Sequence, residues 1–566
     1  MIPTRRHPAR VRGTWAGGAP WPCTAPRPSR FLFALGLTVA LLLLAFPLRA
    51  ALTSSALTGR VTVGERVAAD VTVTLMLREA QITRTTTTNG RGTYWFGALQ
   101  PGVYDVSFSR SGTTSLTRPV TIELGRVARA DARLEASVDE ESVTSTAITV
   151  SVANTTAVTT HFTAEDLERI PLRREVRTAE VLSPVLPNNE TIVDHNTFEH
   201  PELLGEDLLD EITVVRGAQP IELDRFGSSV ILARTHSGTD TFAVSLRDTY
   251  STNDGGGHVL ESTSGGRIVP ERLWFFGAGW GGDATDAGLR RLRGYSLKLD
   301  AQAGPSHHFT ASHIDAEARE IESTATSLHY TGVLHERVTV EAIAGRDETI
   351  AAKLAYRIAD HLVSLGGNSE TDAIHLSDRW ASGRWAVDAG VRHQDEQTLT
   401  RVALAFDLRS SQGSHAIVAN WGEYLDESHG VLRVAGIGYT SSLESQGTAR
   451  IDVFRTEGAR VMDQVQADAH YRLFDRFEAG GSYLYTRSDD ASLPEHLASA
   501  RVGVQIPFAG HELAAMALER YDTERWTTDF GVRYFVPFRR VALTFAGDAT
   551  NVFRDAEFRL WLRIRH

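Results

Sequence analysis

Arg401-Val402-Ala403-Leu404-Ala405-Phe406-Asp407-Leu408-Arg409 sets a large apolar side chain at every second position, with small or charged residues between. In an extended strand a period of two sends the two sets to opposite faces. One face then suits lipid and the other a polar lumen, which is the pattern of a membrane-spanning β-barrel. The last segment repeats it, with Phe558, Leu560, Leu562 and Ile564 alternating with Arg559, Trp561, Arg563 and Arg565. Just before it, Val541, Leu543 and Phe545 stand against Ala542, Thr544 and Asp548.

Working outward, such stretches follow one another from residue 241 to the end, separated by Gly, Asp, Asn and Ser. Leu273 to Trp280, His308 to Ala316, Val338 to Ala344, Phe477 to Tyr485 and Ala498 to Phe508 are examples. About 22 strands fit this region, at ~15 residues each, where a tilted membrane strand needs ~9–11. Little chain is left for loops. Pro507 and Pro537 fall at strand ends, where a missing N–H sacrifices no ladder bond. The expectation is an all-β fold dominated by an antiparallel transmembrane barrel over 241–566.

Composition narrows the classes. A formal charge of -12 and a pI near 5.9 offer no basic face for phosphates, so no nucleic-acid partner is expected. Lys298 and Lys353 are the only lysines, which reads as the coding bias of a GC-rich genome. A mean hydropathy of -0.18 excludes a helical membrane bundle, and no apolar run of helical span follows Leu48. Phe31 to Leu48, led by Arg5, Arg6, Arg10, Arg12, Arg27 and Arg30, reads as a secretory signal peptide over 1–51. The single cysteine, Cys23, precedes that run. The exported chain then has neither a disulfide framework nor a thiolate metal site.

Residues 52–135 read as a small β-sandwich of Val/Thr-rich strands with turns at Asn89-Gly90 and Pro101-Gly102. Phe96, Leu99 and Tyr104 are spaced to fill one core. The run Thr88 to Val106 resembles the carboxypeptidase regulatory-like, transthyretin-like domain, in which a Gly turn, an aromatic strand, Leu, Pro-Gly and Tyr recur. Residues 136–161 are Ser/Thr/Val-rich and read as a linker. Thr163 with Asp166 forms a capping pair for a short helix stopped by Pro171, and a second helix spans Arg173 to Leu182. Pro187 to Asp210 shows only weak periodicity.

Ile212-Thr213-Val214-Val215-Arg216-Gly217-Ala218-Gln219-Pro220, followed by Phe226-Gly227-Ser228-Ser229-Val230-Ile231 and Ser237-Gly238-Thr239, resembles the end of the plug in TonB-dependent outer-membrane receptors. A regulatory-like domain ahead of a plug and barrel is similar to the Oar-like subgroup, and Phe162 to Pro171 resembles its plug entry. Asn551-Val552-Phe553 is similar to the Asn-x-Phe before the family's last strand. The resemblance implies a plug over 162–240 with Arg216, Gly217, Gln219, Gly227 and Gly238 as its motif residues. It also implies that Arg216 meets the wall and pairs with a lumen carboxylate. An energy-coupling protein of the TonB type would pull on an extended segment ahead of the plug. Glu140 to Ser145, with Val143 and Thr144, and Ala147 to Val152, with Ile148, Thr149 and Val150, are both open as that segment.

Two departures stand out. The family's further Arg-Gly strand and Ile-Asp-Gly turn are not found between Leu182 and Glu211, so the plug is expected to be short and to leave the lumen incompletely closed. The last residue is His566 in place of a terminal Phe or Trp, though it falls on the apolar face after Ile564.

Other classes are weaker. His393-Gln394-Asp395-Glu396 fits a His-x-x-Glu metal pattern but lies in a polar turn with no third histidine placed to help. His307, His308 and His313 read as a solvated strand end. No catalytic, cofactor-binding or metal-ligating residue is therefore expected. The expected partners are outer-membrane lipid, the barrel assembly machinery, the coupling protein and an unidentified substrate. The place is the outer membrane, with the N-terminal domain in the periplasm. The rival is a passive pore or outer-membrane scaffold, favoured by the short loops.

Overall fold

The computed structural model describes residues 55–566 apart from short stretches, chiefly 65, 78–82, 100–101, 111–115, 123–126, 135–147, 152–157, 184–189, 224–228 and the tips of many barrel turns. The expected leader with Cys23, the segment containing Val143 and Thr144, and Gly227 lie outside the described residues.

The N-terminal sandwich is built from β1 (Ser55–Val63), β2 (Arg66–Val67), β3 (Thr72–Leu77), β4 (Thr83–Thr87), β5 (Thr93–Leu99), β6 (Gly102–Ser109), β7 (Leu116–Ile122), β8 (Val127–Leu134) and β9 (Ile148–Ser151). One sheet runs β2-β1-β8-β9 with β5 joined to β1, and the other runs β4-β3-β6-β7. Leu57, Val73, Leu75, Val106, Phe108 and Leu134 fill the space between them together with the expected Phe96, Leu99 and Tyr104. Tyr94 stacks edge-on to Phe96 and Phe108 and donates its hydroxyl to the Ala130 carbonyl, so its polar tip is satisfied in the core. Strand β9 corrects the linker expectation. Ile148–Ser151 adds an antiparallel edge strand to β8.

The plug follows with β10 (Val158–Thr163), α1 (Ala164–Glu168), α2 (Val176–Leu182), β11 (Glu190–Val193), β12 (Asn196–Thr197), β13 (Leu209–Arg216) and β14 (Ser229–Thr235), in sheet order β10-β13-β14-β11-β12. The expected capping pair is present: Thr163 Oγ1 accepts from the Asp166 amide while the Asp166 carboxylate accepts from the Thr163 amide. Two short strands thus lie in the stretch between Leu182 and Glu211, whose weak periodicity assigned no element. Asp194 and His195 join them in a two-residue turn with φ of 43° and 78°. Such turns usually advertise themselves by Asn-Gly, and a non-glycine pair at positive φ hides the hairpin from sequence reading.

From β15 (Ala243–Ser251) to β36 (Glu557–Arg565), 22 antiparallel strands close on themselves, with Leu246 opposite Ile564 at the seam. The chain continues that pairing to its last residue, where His566 and Val244 exchange backbone hydrogen bonds of 2.9 and 3.1 Å. The alternation of the opening stretch is realised: Val402 and Leu404 point outward at 49% and 38% exposure, while Arg401, Ala403, Ala405 and Asp407 are buried inside. Closure leaves no free edge, which is what lets strands cross a bilayer. No connection between barrel strands is longer than residues 489–495.

Candidate functional site: the contact between plug and wall

The plug sits inside the barrel and meets the wall through charges. Glu206 lies 2.7 Å from Arg247 and 3.0 Å from Arg559. Asp207 pairs with Arg247 and with Arg563, Glu168 also reaches Arg563, and Arg559 is held by Asp548 at 2.8 Å. All of these arginines are on the barrel strands that flank the closing seam. Trp561 offers its ring to Arg247 at 4.4 Å and to Arg563 at 5.5 Å. Plug carboxylates therefore face wall arginines here, and pairing offsets their desolvation; the wall also brings the buried Glu261, whose Oε1 accepts from the Glu206 amide.

Further round the wall the polarity reverses, with Arg169 of the plug 3.8 Å from Glu478 and Arg216 against Asp468. Arg216 Nη2 lies 3.0 Å from Asp468 Oδ2 on the wall and donates to Thr160 Oγ1 at 2.7 Å, with Nη1 on Ser183 Oγ. Burial lowers the pKa of this guanidinium, and Asp468 and Asp452 act against that. Gly217, next in the chain, has φ 67°, and any Cβ there would run into the Phe454 ring. Gln219 is fully buried; its carbonyl accepts from the Tyr424 hydroxyl at 3.0 Å, and its side-chain amide atoms have no partner among the described residues. Gly238 lies against the backbone of Phe275 and Gly266, at the passage from plug to barrel, with no room for a side chain. Four of the five expected motif residues thus line the plug's contact with the wall.

Sequence reading missed the remaining contacts. Glu222 meets Arg379 at 2.5 Å, and Arg392 donates to the Leu223 carbonyl at 3.1 Å. Lys298 Nζ donates to Asp194 Oδ1 at 3.2 Å and to the Thr235 carbonyl at 3.0 Å. His195 lies against His329 with ring centroids 4.1 Å apart and planes tilted by 44°, His329 reaches Glu341 at 3.2 Å, and Glu341 reaches Lys353 at 3.4 Å. Both lysines of the chain are therefore buried on the inner face of the wall, Lys298 against the plug turn at Asp194 and Lys353 against Glu341. Their rarity was the available signal, and coding bias explains why lysine is scarce but not where the two remain.

These contacts touch the wall on several sides of the lumen. The sandwich covers part of the mouth: Arg357 stands 4.8 Å over the Trp95 ring, Gly97 abuts Thr339, and Gln302 donates to the Thr83 carbonyl at 2.7 Å. The histidine patterns dissolve. His307 and His313 hydrogen-bond Tyr330 and Tyr295 on the outer face, while His308 turns inward near Asp300. Asp395 and Glu396 form a tight positive-φ turn. Among the described residues no group of three or more His, Cys, Asp or Glu could hold a metal.

A closed barrel with apolar side chains outward and ion pairs inward, occupied by a sheet from the N-terminal side of the chain, is a plugged transmembrane β-barrel. Comparison specifies the class further. Residues 56–135 match the carboxypeptidase regulatory-like domain. The siderophore receptor PirA from Pseudomonas aeruginosa is similar in structure at TM-score 0.57 and 12% identity, covering 72% of this chain and 99% of that one. The alcaligin outer-membrane receptor FauA from Bordetella pertussis is similar at 0.56 and 12%, over 73% and 96%. The siderophore receptor PiuA from Acinetobacter baumannii is similar at 0.58 and 9%, over 73% and 97%. No curated protein matches by sequence. The chain has the fold of the TonB-dependent outer-membrane receptors, and its place is the bacterial outer membrane.

Proposed function

We propose that this protein is a gated outer-membrane receptor that moves its substrate by displacement of the plug, driven by a TonB-type coupling protein in the periplasm. The observation that carries the reading is the plug's seating: charged pairs fasten it to strands on several sides of the wall, so the lumen opens only when work is done on it. A passive pore would have no use for such a fastening. The order of sandwich, plug and barrel supports a likeness to the Oar-like subgroup, and the action proposed is binding and transport without catalysis. Assembly machinery and lipid are partners that any such barrel requires.

Receptors similar in fold are named for siderophores. Here the connections between strands are short, so selectivity falls to the lumen and plug in place of surface loops. That same shortness favours a second reading, an outer-membrane scaffold whose plug stays in place. Deleting the host's coupling protein distinguishes them. The receptor reading expects loss of every phenotype that depends on this chain, and the scaffold reading expects none.

A further inference from the structure

The second of the segments open for energy coupling contains β9 (Ile148–Ser151), the outermost strand of a sandwich sheet. Its pairs with β8 are Arg129 with Ser151, Ala130 with Val150, Asp131 with Thr149 and Ala132 with Ile148. Six residues later the chain enters β10, which is itself an edge strand of the plug sheet. Its first pair with β13 is Val158 with Arg216. Two edge strands in series therefore connect the sandwich to the residue that fastens the plug to Asp468.

Resting on the coupling reading above, we propose that β9 is the coupling segment and that the regulatory-like sandwich holds it in reserve, so the periplasmic coupling protein must take it from β8 before it can pull. A four-residue edge strand rich in β-branched residues suits strand addition to another sheet, and its short ladder makes exchange feasible. Release is needed mechanically. The sandwich rests on the barrel through Trp95, Gly97 and Thr83, so a pull on β9 in place would be borne by those contacts. Once freed, β9 passes the pull to β10. Peeling β10 begins at Val158 and withdraws Thr160, whose hydroxyl accepts from Arg216. The sandwich is thus a sheath over the handle, and the handle leads to the lock.

The test is a disulfide across the ladder in the full chain with Cys23→Ser: Ala130→Cys with Val150→Cys, and in a second variant Asp131→Cys with Thr149→Cys, since only one register position presents its Cβ atoms at bridging distance. The probe is the purified periplasmic domain of the host's coupling protein. The proposal expects the reduced protein to bind, the oxidised protein to lose binding, and reductant to restore it. Equal binding by the oxidised form overturns the sheath while leaving the coupling reading intact. Failure of both pairs to cross-link shows that β9 is not held by β8 and overturns it as well. Absence of binding in every form, including the chain without engineered cysteines, overturns the coupling reading itself.

Discussion

Arg216 and Asp468, 252 residues apart in the chain, meet at 3.0 Å where the last residue of the plug strand β13 reaches the barrel wall. Arg216 is 3% exposed, so removing either partner strands a charge away from water. Arg216→Ala is expected to weaken plug seating by about 3–5 kcal/mol, the range for a broken buried pair. The readout is the urea concentration at which the plug leaves the barrel. An unchanged midpoint would mean the pair does not fasten the plug.

Lys298 and Lys353 make the plug its own reporter. Both are buried, at 3% and 7% exposure. An amine-reactive reagent is expected to modify the folded protein only at its N-terminus, and to reach Lys298 once the plug is displaced. Lys298→Arg should not restore the wild-type midpoint, because a planar guanidinium does not reproduce the compact three-donor ammonium set on Asp194 and Thr235. Mass spectrometry of the labelled peptides checks both statements.

Acid should loosen the plug. Burial works to raise the pKa of Glu222, but the Arg379, Lys353 and His375 charges outweigh it and hold the carboxyl down at about 2. Asp210 and Glu211 are depressed in the same way, with burial opposed by Arg234 together with His236 or His161. A carboxylate depressed on folding stabilises fully above its unfolded value of about 4, and that contribution is lost as pH falls toward the folded value. The urea midpoint for plug release should therefore be flat in this respect above about pH 4.5 and should fall below it. Glu222→Gln should flatten part of that fall.

Gly217 is held by two constraints, its φ of 67° and the Phe454 ring. Gly217→Val should cost about 2–4 kcal/mol, combining left-handed strain with overpacking. Pairing it with Phe454→Ala should recover the packing share and leave the strain, which a double-mutant cycle measures.

Period two was enough to read the barrel, because the wall strands turn large apolar residues to lipid on one side and small or polar ones to the lumen on the other; Val402 and Arg401 illustrate the rule. Gly217 and Gly238 were legible for a different reason: backbone crowding leaves a residue type that stands out. The Asp194-His195 hairpin escaped because its turn carries no glycine, and β9 escaped because an edge strand of four residues has too few positions to show a period. The plug's acidic contacts were illegible in principle. Glu206, Asp207 and Glu222 look like solvated surface until Arg247, Arg563 and Arg379, 41, 356 and 157 residues away in the chain, are brought against them.

The claim on which the account turns is that the plug closes the barrel until it is pulled, and ion current across a planar bilayer measures it directly. The full chain is expected to insert without steady current, and Arg216→Ala to show frequent openings under the same conditions. Continuous conductance by the unaltered protein would contradict the account.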